Sequence, residues 1–120
     1  MYDHIGLKVQ DLASAKRFYE AALKALGHVP GPADSSGASF GPPGEPALWL
    51  CAAEGLRRNG VHIAFRAPDR KAVDRFHAMG VDAGGRDNGE PGLRADYGPK
   101  YYAAFLLDPD GNNVEAVCLK

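Results

Sequence analysis

Apolar and polar residues alternate at the start of the chain, and a helical pattern follows. Residues 5–9 carry Ile, Leu and Val at every second position, as in a strand with one buried face. From residue 12 to residue 26, apolar residues recur at spacings of three and four, which predicts an amphipathic helix. Asp11 is placed to cap the first turn of this helix, and Gly27 is placed to end it.

The same strand-and-helix pattern returns in the middle of the chain. Residues 62–77 match residues 4–19 without gaps, at a constant offset of 58 positions. The identical pairs are His4/His62, Ile5/Ile63, Asp11/Asp69, Arg17/Arg75 and Phe18/Phe76. A duplication of this kind indicates one supersecondary unit used twice. The second copy predicts a helix over residues 70–79, capped by Asp69 and ended by Gly80.

Each helix is followed by a stretch rich in Gly and Pro and then by further strands. The predicted later strands are a short one near Phe40 and the runs 47–53, 101–107 and 113–119. The last two flank a five-residue turn signal, Asp-Pro-Asp-Gly-Asn. The order β-α-β-β-β therefore occurs twice, which predicts an α+β fold. We expect one domain over residues 1–120, with modules at about 1–58 and 59–120.

Charge and cysteine content exclude several classes of function. The chain has 14 basic and 15 acidic side chains and a formal net charge of −1, with no long run of one sign. Nucleic acid and membrane surfaces are therefore poor partner candidates. No apolar stretch is as long as a bilayer span and no signal-like segment opens the chain, so we expect a cytoplasmic protein. Cys51 and Cys118 are expected to be reduced core residues.

Three side chains could bind a metal ion together. Glu115 lies in the middle of an otherwise apolar strand, where a carboxylate is costly unless it is paired or bound to a cation. His4 and His62 occupy equivalent places in the two copies and point away from the helices. Two imidazoles and a carboxylate suit zinc with an open position, or ferrous iron. A single strand histidine is more often structural, so the argument depends on all three.

The motifs that contain these residues resemble a known family. The segments are Asp-His-Ile-Gly-Leu at the start, Gly-Val-His-Ile-Ala-Phe at the middle and Asp-Pro-Asp-Gly-Asn-Asn-Val-Glu near the end. Together they resemble the vicinal oxygen chelate superfamily, which includes glyoxalases, bleomycin-resistance proteins and extradiol dioxygenases. The resemblance implies a cupped, partly open mixed β-sheet with helices on the outside. It also implies His4, His62 and Glu115 as metal ligands, with Glu115 as the catalytic carboxylate.

The resemblance implies a function as well. The expected cofactor is a divalent metal ion (Zn, Fe, Mn or Ni). We expect a homodimeric enzyme, which would be a lyase, a transferase or a dioxygenase. Its small substrate would chelate the metal through vicinal oxygens. Residues 47–51 lack the fourth ligand that glyoxalase I enzymes supply, so the three-ligand set is closer to fosfomycin-resistance enzymes and extradiol dioxygenases. The alternative is a non-catalytic antibiotic-binding protein of the bleomycin-resistance type.

Polar and aromatic residues outside the ligand set are candidates for substrate binding. They are Trp49, Arg94, Tyr97, Lys100, Tyr101 and Tyr102. Trp49 could form a wall of the cup or belong to a core, and packing alone could also explain the tyrosines. His28 and His77 are expected to be structural or surface residues. Arg57 and Arg58 are expected to be solvated loop charges.

Overall fold

The computed structural model describes residues 1–55 and 61–120. Its elements are β1 (Ile5–Val9), α1 (Leu12–Lys24), β2 (Val29–Pro30), β3 (Gly37–Gly41), β4 (Leu48–Ala52), β5 (His62–Arg66), α2 (Arg70–Asp82), β6 (Arg86–Leu93), β7 (Tyr102–Leu107) and β8 (Asn113–Cys118). The predicted module boundary at residues 58 and 59 lies outside the described residues, as do Arg57 and Arg58.

The strands form two open four-stranded mixed sheets with the same topology. The strand order is β1-β4-β3-β2 in the first sheet and β5-β8-β7-β6 in the second. In each sheet the first strand of the module pairs in parallel with the last, and the remaining pairs are antiparallel. The predicted α+β class with two β-α-β-β-β modules is confirmed.

Both helices begin where the aspartates predict. The side chain of Asp11 accepts a hydrogen bond from the backbone N–H of Ser14, and Asp69 does the same for Ala72. These carboxylates satisfy amide groups that have no partner inside the helix. The first helix ends at Lys24, close to the predicted end, and Gly27 follows with a φ of 92°.

The second helix does not end at Gly80, so this part of the prediction is wrong. It continues to Asp82, and the glycine with positive φ that follows it is Gly84, at 105°. Gly80 lies buried within the helix, and a side chain at this position would meet Leu106 of β7 and Phe18 of α1. This glycine is therefore needed for the close packing of the helix and not for ending it.

The core lies between the helices and one face of each sheet. Its largest fully buried side chains include Phe18, Tyr19 and Leu23 of α1, Phe40 and Leu50 of the first sheet, Phe76 of α2 and Leu106 of the second sheet. Cys118 belongs to this core as predicted, and its thiol is free. Cys51 is exposed, so the prediction that it is buried is wrong. It follows Leu50 in β4 and so points to the opposite face of the sheet from that buried leucine.

None of the helices in the described part of the chain is both long enough and apolar enough to cross a membrane.

Candidate functional site

The turn before β8 holds the start of the strand that carries Glu115. The buried carboxylate of Asp108 accepts hydrogen bonds from the backbone N–H groups of Asp110 and Asn112, at 2.9 and 2.8 Å, and from the side-chain amide of Asn112 at 2.9 Å. An aspartate that satisfies the backbone of its own turn stabilises that turn. The turn motif of the sequence is therefore part of the framework that positions Glu115.

Glu115 is a buried carboxylate with a different partner on each oxygen. It is 3% exposed. Its Oε2 atom accepts a hydrogen bond from the hydroxyl of Tyr101, and its Oε1 atom lies 3.1 Å from Nε2 of His62. His62 and Glu115 meet because β5 and β8 are parallel neighbours, with Ala64 opposite Glu115. The structure thus brings together two of the three predicted ligands.

The hydrogen bond that Nδ1 of His62 makes determines whether Nε2 carries a hydrogen or a lone pair. Nδ1 of His62 lies 3.1 Å from the backbone carbonyl oxygen of Asn113. A carbonyl oxygen can only accept, so Nδ1 carries a hydrogen. In a neutral imidazole, Nε2 then presents a lone pair toward Oε1 of Glu115. Two acceptors in contact repel each other, so this pair requires either a proton between the two atoms or a cation shared by them.

Tyr101 remains a hydrogen-bond donor at neutral pH. Burial and the hydrogen bond to Glu115 raise the pKa of the Tyr101 hydroxyl to about 12. The phenol therefore keeps its proton and donates it to the carboxylate. Tyr101 is one of the predicted substrate-binding residues, and its hydroxyl contacts a predicted metal ligand.

Phe105 and Arg94 lie next to the His62–Glu115 pair on the second sheet. Phe105 lies opposite Glu115 in the register of β7 and β8, and its ring stacks near His62 with centroids 6.4 Å apart. The guanidinium carbon of Arg94 lies 5.4 Å from the centre of the Phe105 ring. Sequence reasoning missed Phe105, although an aromatic residue directly across from a predicted ligand could have been found from the hairpin register.

Two glycines of β6 leave room for Arg94. A Cβ atom at Gly89 would lie 3.3 Å from Nη2 of Arg94, and one at Gly92 would lie 3.1 Å from Nη1. Nη2 also donates to the backbone carbonyl of Glu90 at 2.6 Å. The guanidinium is therefore held against the sheet beside Phe105, and the role of Arg94 in substrate binding stays a prediction.

His4 lies on the first module with Trp49. It precedes β1, its side chain is 59% exposed, and its Nδ1 atom lies 2.7 Å from a carboxylate oxygen of Asp3. A shallow concavity of about 510 Å³ is lined by Asp3, His4, Gly6, Pro46, Trp49 and Cys51. Trp49 therefore forms a wall of a surface groove, one of the two alternatives from the sequence.

Trp49 occupies in the first sheet the position that Glu115 occupies in the second. Gly6 and Ala64 are equivalent in the repeat, and their strand partners are Trp49 and Glu115. An indole stands where a carboxylate would supply a fourth ligand. The register thus supports the sequence argument that no fourth protein ligand comes from β4.

The remaining substrate-binding candidates lie in different surroundings. Tyr97 is exposed and its ring contacts that of Tyr101 edge to face, with centroids 5.3 Å apart. Lys100 is exposed beside them. Tyr102 points toward α2, where its hydroxyl donates to Asp74 at 2.6 Å and its ring lies below Arg70. Tyr97 and Lys100 are therefore near the rim of the site, whereas Tyr102 is on the helix side.

The predicted ligands do not all converge within one chain. Among the described residues, the His, Cys, Asp and Glu side chains that come within 4.8 Å of one another in a group of three are His77, Asp87 and Glu90. His4 does not join His62 and Glu115 in this way. His77 is largely buried and lies 2.9 Å from Asp87, which makes it a structural residue that links α2 to β6. The three-ligand set remains a prediction.

The family model of the glyoxalase/bleomycin resistance protein/dioxygenase superfamily matches residues 2–116. The chain therefore belongs to this superfamily, in agreement with the resemblance of its motifs. Among functionally curated proteins, none matches the chain by sequence.

Solved structures agree with this assignment. A glyoxalase/bleomycin resistance protein from Albidiferax ferrireducens T118 is 32% identical, with 98% of each chain covered and a TM-score of 0.82. A glyoxalase/dioxygenase from Nostoc punctiforme is 23% identical over 100% of this chain and 91% of the other, with a TM-score of 0.75. A glyoxalase-related enzyme from Fulvimarina pelagi is 19% identical over 95% and 84%, with a TM-score of 0.73. The last two establish likeness of fold alone.

Proposed function

We propose that the protein is a metal-dependent enzyme that acts on a small substrate through two neighbouring oxygens of that substrate. The observation that carries this proposal is the contact between Nε2 of His62 and Oε1 of Glu115. Their separation is 3.1 Å. Two ligands that are each about 2.0–2.2 Å from one ion, at tetrahedral or octahedral angles, lie about 2.8–3.6 Å apart. The pair is thus spaced as two ligands of one ion.

The environment of the pair also fits a metal ion. The hydrogen bond from Nδ1 of His62 to a backbone carbonyl is the arrangement that orients metal-binding histidines. A buried carboxylate such as Glu115 is stabilised by a nearby cation. An imidazole and a carboxylate are ligands that zinc and ferrous iron accept.

We propose further that His4 is the third ligand and that a second copy of the chain supplies it. His4 is the repeat counterpart of His62, and its side chain is largely exposed on the first module. Within one chain it does not reach the His62–Glu115 pair. In a dimer with two-fold symmetry, each first module can meet the second module of the other copy, so both sites would be completed together.

A divalent cation at this site would polarise the bound substrate oxygens and stabilise negative charge that develops on them. The side chains around it have separate tasks. Arg94 would bind an anionic group of the substrate, because its guanidinium lies over Phe105 beside the ligand pair. Trp49 of the second copy, which lies on the same module as the His4 of that copy, would form the opposite wall. Tyr97 and Lys100 would contact the substrate at the rim.

A second candidate function is drug sequestration without chemistry. Trp49 provides an aromatic surface at the position equivalent to Glu115. The relative that is 32% identical is a glyoxalase/bleomycin resistance protein. A flat aromatic or cationic drug could stack on such a surface in the absence of a metal.

Metal analysis followed by a substrate screen separates the two functions. Protein purified without a histidine tag should bind zinc stoichiometrically, and both His62→Ala and Glu115→Gln should abolish binding. Glu54→Gln, a change at an exposed turn residue, should leave binding unchanged. Catechols, 2-oxoaldehyde–thiol adducts and epoxides would then be tested with iron-, manganese-, nickel- and zinc-loaded protein. No turnover with any metal, together with tight drug binding by metal-free protein, would support sequestration instead.

A further inference from the structure

The two oxygens of Glu115 are held in different ways, and Tyr101 is the cause. Oε2 accepts the hydrogen bond from the Tyr101 hydroxyl, and Oε1 faces Nε2 of His62. We propose that Tyr101 is a positioning residue that restricts Glu115 to binding the metal through Oε1 alone. This inference rests on the proposed function, because it requires a metal at the His62–Glu115 pair.

A glutamate needs such a restraint to bind through one oxygen. Its carboxylate rotates broadly about the last side-chain torsion, and both oxygens can bind the same cation. With Oε2 accepting the hydrogen bond from the Tyr101 hydroxyl, only Oε1 remains on the side of His62. Partners that hold metal ligands in this way affect affinity even though they do not touch the ion.

Tyr101 is itself well anchored. Its backbone N–H donates to the carbonyl of Gly98 at 3.3 Å, and its carbonyl accepts from the N–H of Arg94 at 2.8 Å. The ring of Tyr101 contacts the ring of Tyr97 edge to face. A tyrosine has only two side-chain torsions before its hydroxyl, so an anchored backbone and one ring contact are enough to fix the position of the donor.

The next residue provides a matched control. The hydroxyl of Tyr102 also donates to a carboxylate, that of Asp74, at 2.6 Å. Because Asp74 belongs to α2, this hydrogen bond lies on the helix side of the sheet and not at Glu115. Tyr101→Phe and Tyr102→Phe therefore remove the same atom and the same type of hydrogen bond, but only Tyr101→Phe affects the proposed ligand.

The experiment measures Zn²⁺ and Co²⁺ affinity for the wild-type chain and both variants, together with the visible spectrum of the cobalt forms. Tyr101→Phe should weaken binding by about 10- to 100-fold and change the cobalt spectrum, since Glu115 becomes free to bind through both oxygens. Tyr102→Phe should stay within about 2-fold of wild type in affinity and keep the wild-type spectrum. Unchanged affinity and spectrum in Tyr101→Phe would overturn the inference.

A second measurement needs no variant. The infrared difference between zinc-loaded and metal-free wild-type protein should contain the carboxylate bands of one-oxygen coordination, and bands of two-oxygen coordination would overturn the inference. If the wild-type chain binds neither zinc nor cobalt, the proposed function itself fails. That outcome is distinct from metal binding that does not depend on Tyr101.

Discussion

Tyr19 donates a hydrogen bond of 2.6 Å to Asp108, a residue 89 positions away along the chain. Tyr19 lies in α1 of the first module, and Asp108 begins the turn before β8 of the second. Both side chains are almost completely buried. The hydrogen bond therefore ties the first helix to the turn that determines where Glu115 lies.

Removal of the Tyr19 hydroxyl should destabilise the fold. Tyr19→Phe removes one of the two hydrogen bonds that Oδ2 of the buried Asp108 carboxyl group accepts, the other coming from the side-chain amide of Asn112. The loss of a buried hydrogen bond of this kind costs about 1–3 kcal/mol. The free energy of unfolding from urea titration measures the loss. Tyr2→Phe is the matched control, because Tyr2 is 79% exposed and should unfold at the wild-type urea concentration. Equal midpoints for the two variants would show that the hydrogen bond contributes nothing.

A methyl group at Gly80 should also destabilise the protein, although alanine is the better helix former. Helix propensity favours Gly80→Ala by about 1 kcal/mol, but the new Cβ would meet Leu106 and Phe18 in a packed core. Overpacking costs about 1–3 kcal/mol, so we expect a net loss of stability. Gly6→Ala, where nothing lies within 4 Å of the new atom, should not lower the melting temperature. A more stable Gly80→Ala protein would contradict the packing argument.

The link between α2 and β6 should weaken in acid. The hydrogen bond from His77, followed by that from the backbone N–H of Gly89, lowers the pKa of Asp87 below its usual value of 3.8. The folded pKa is the lower one, so this contribution to stability is present above pH 3.8 and is lost as the pH falls through the folded pKa.

Melting temperatures between pH 7 and pH 3 measure this effect. Asp87→Asn should melt below wild type at pH 7, and the difference should shrink as the pH falls below about 4. Asp96→Asn, a change at an exposed aspartate of the loop after β6, is the control and should follow the wild-type curve throughout. A constant difference for Asp87→Asn over the whole range would contradict the assignment.

The sequence predicted the modules because their signals are local and occur twice. Alternation, helical spacing and capping aspartates each depend on a few neighbouring residues. Gly80 was misread because a glycine in a helix can end it or can admit a neighbouring side chain, and only the packing of Phe18 and Leu106 distinguishes the two. The strand β6 was not predicted, because its pairing with β7 shifts register at Gly89 and Gly92. These shifts disturb the alternation by which a strand is predicted.

The candidate site was predictable where the strand order brings residues together. The first and last strands of the second module are parallel neighbours, so His62 and Glu115 could be paired from the pattern and the resemblance. Alternation separates Tyr101 from Tyr102, and the hairpin register that places Phe105 opposite Glu115 also places Tyr101 on the same face as Phe105. Whether His4 completes the site of another copy, as we propose, does not follow from the sequence, because a single chain does not determine how one module meets the module of another copy.

A mixed dimer tests whether His4 comes from the other copy. His4→Ala and His62→Ala would be co-expressed with two different tags free of histidine, and the mixed dimer purified through both. In our proposal, one of its two sites has lost both histidines and the other retains His4 of one chain with His62 and Glu115 of the other. The mixed dimer should therefore bind about half of the wild-type zinc, whereas each variant alone should bind none.

The control combines His62→Ala with Glu115→Gln. These changes damage the same half of the site, so in the mixed dimer each of the two sites carries one defect and no zinc should bind. If His4 instead acted within its own chain, every site in the first mixed dimer would also carry one defect and no zinc would bind there either. Half-occupancy in the first mixed dimer and none in the second is the pattern expected only for a site shared between two copies.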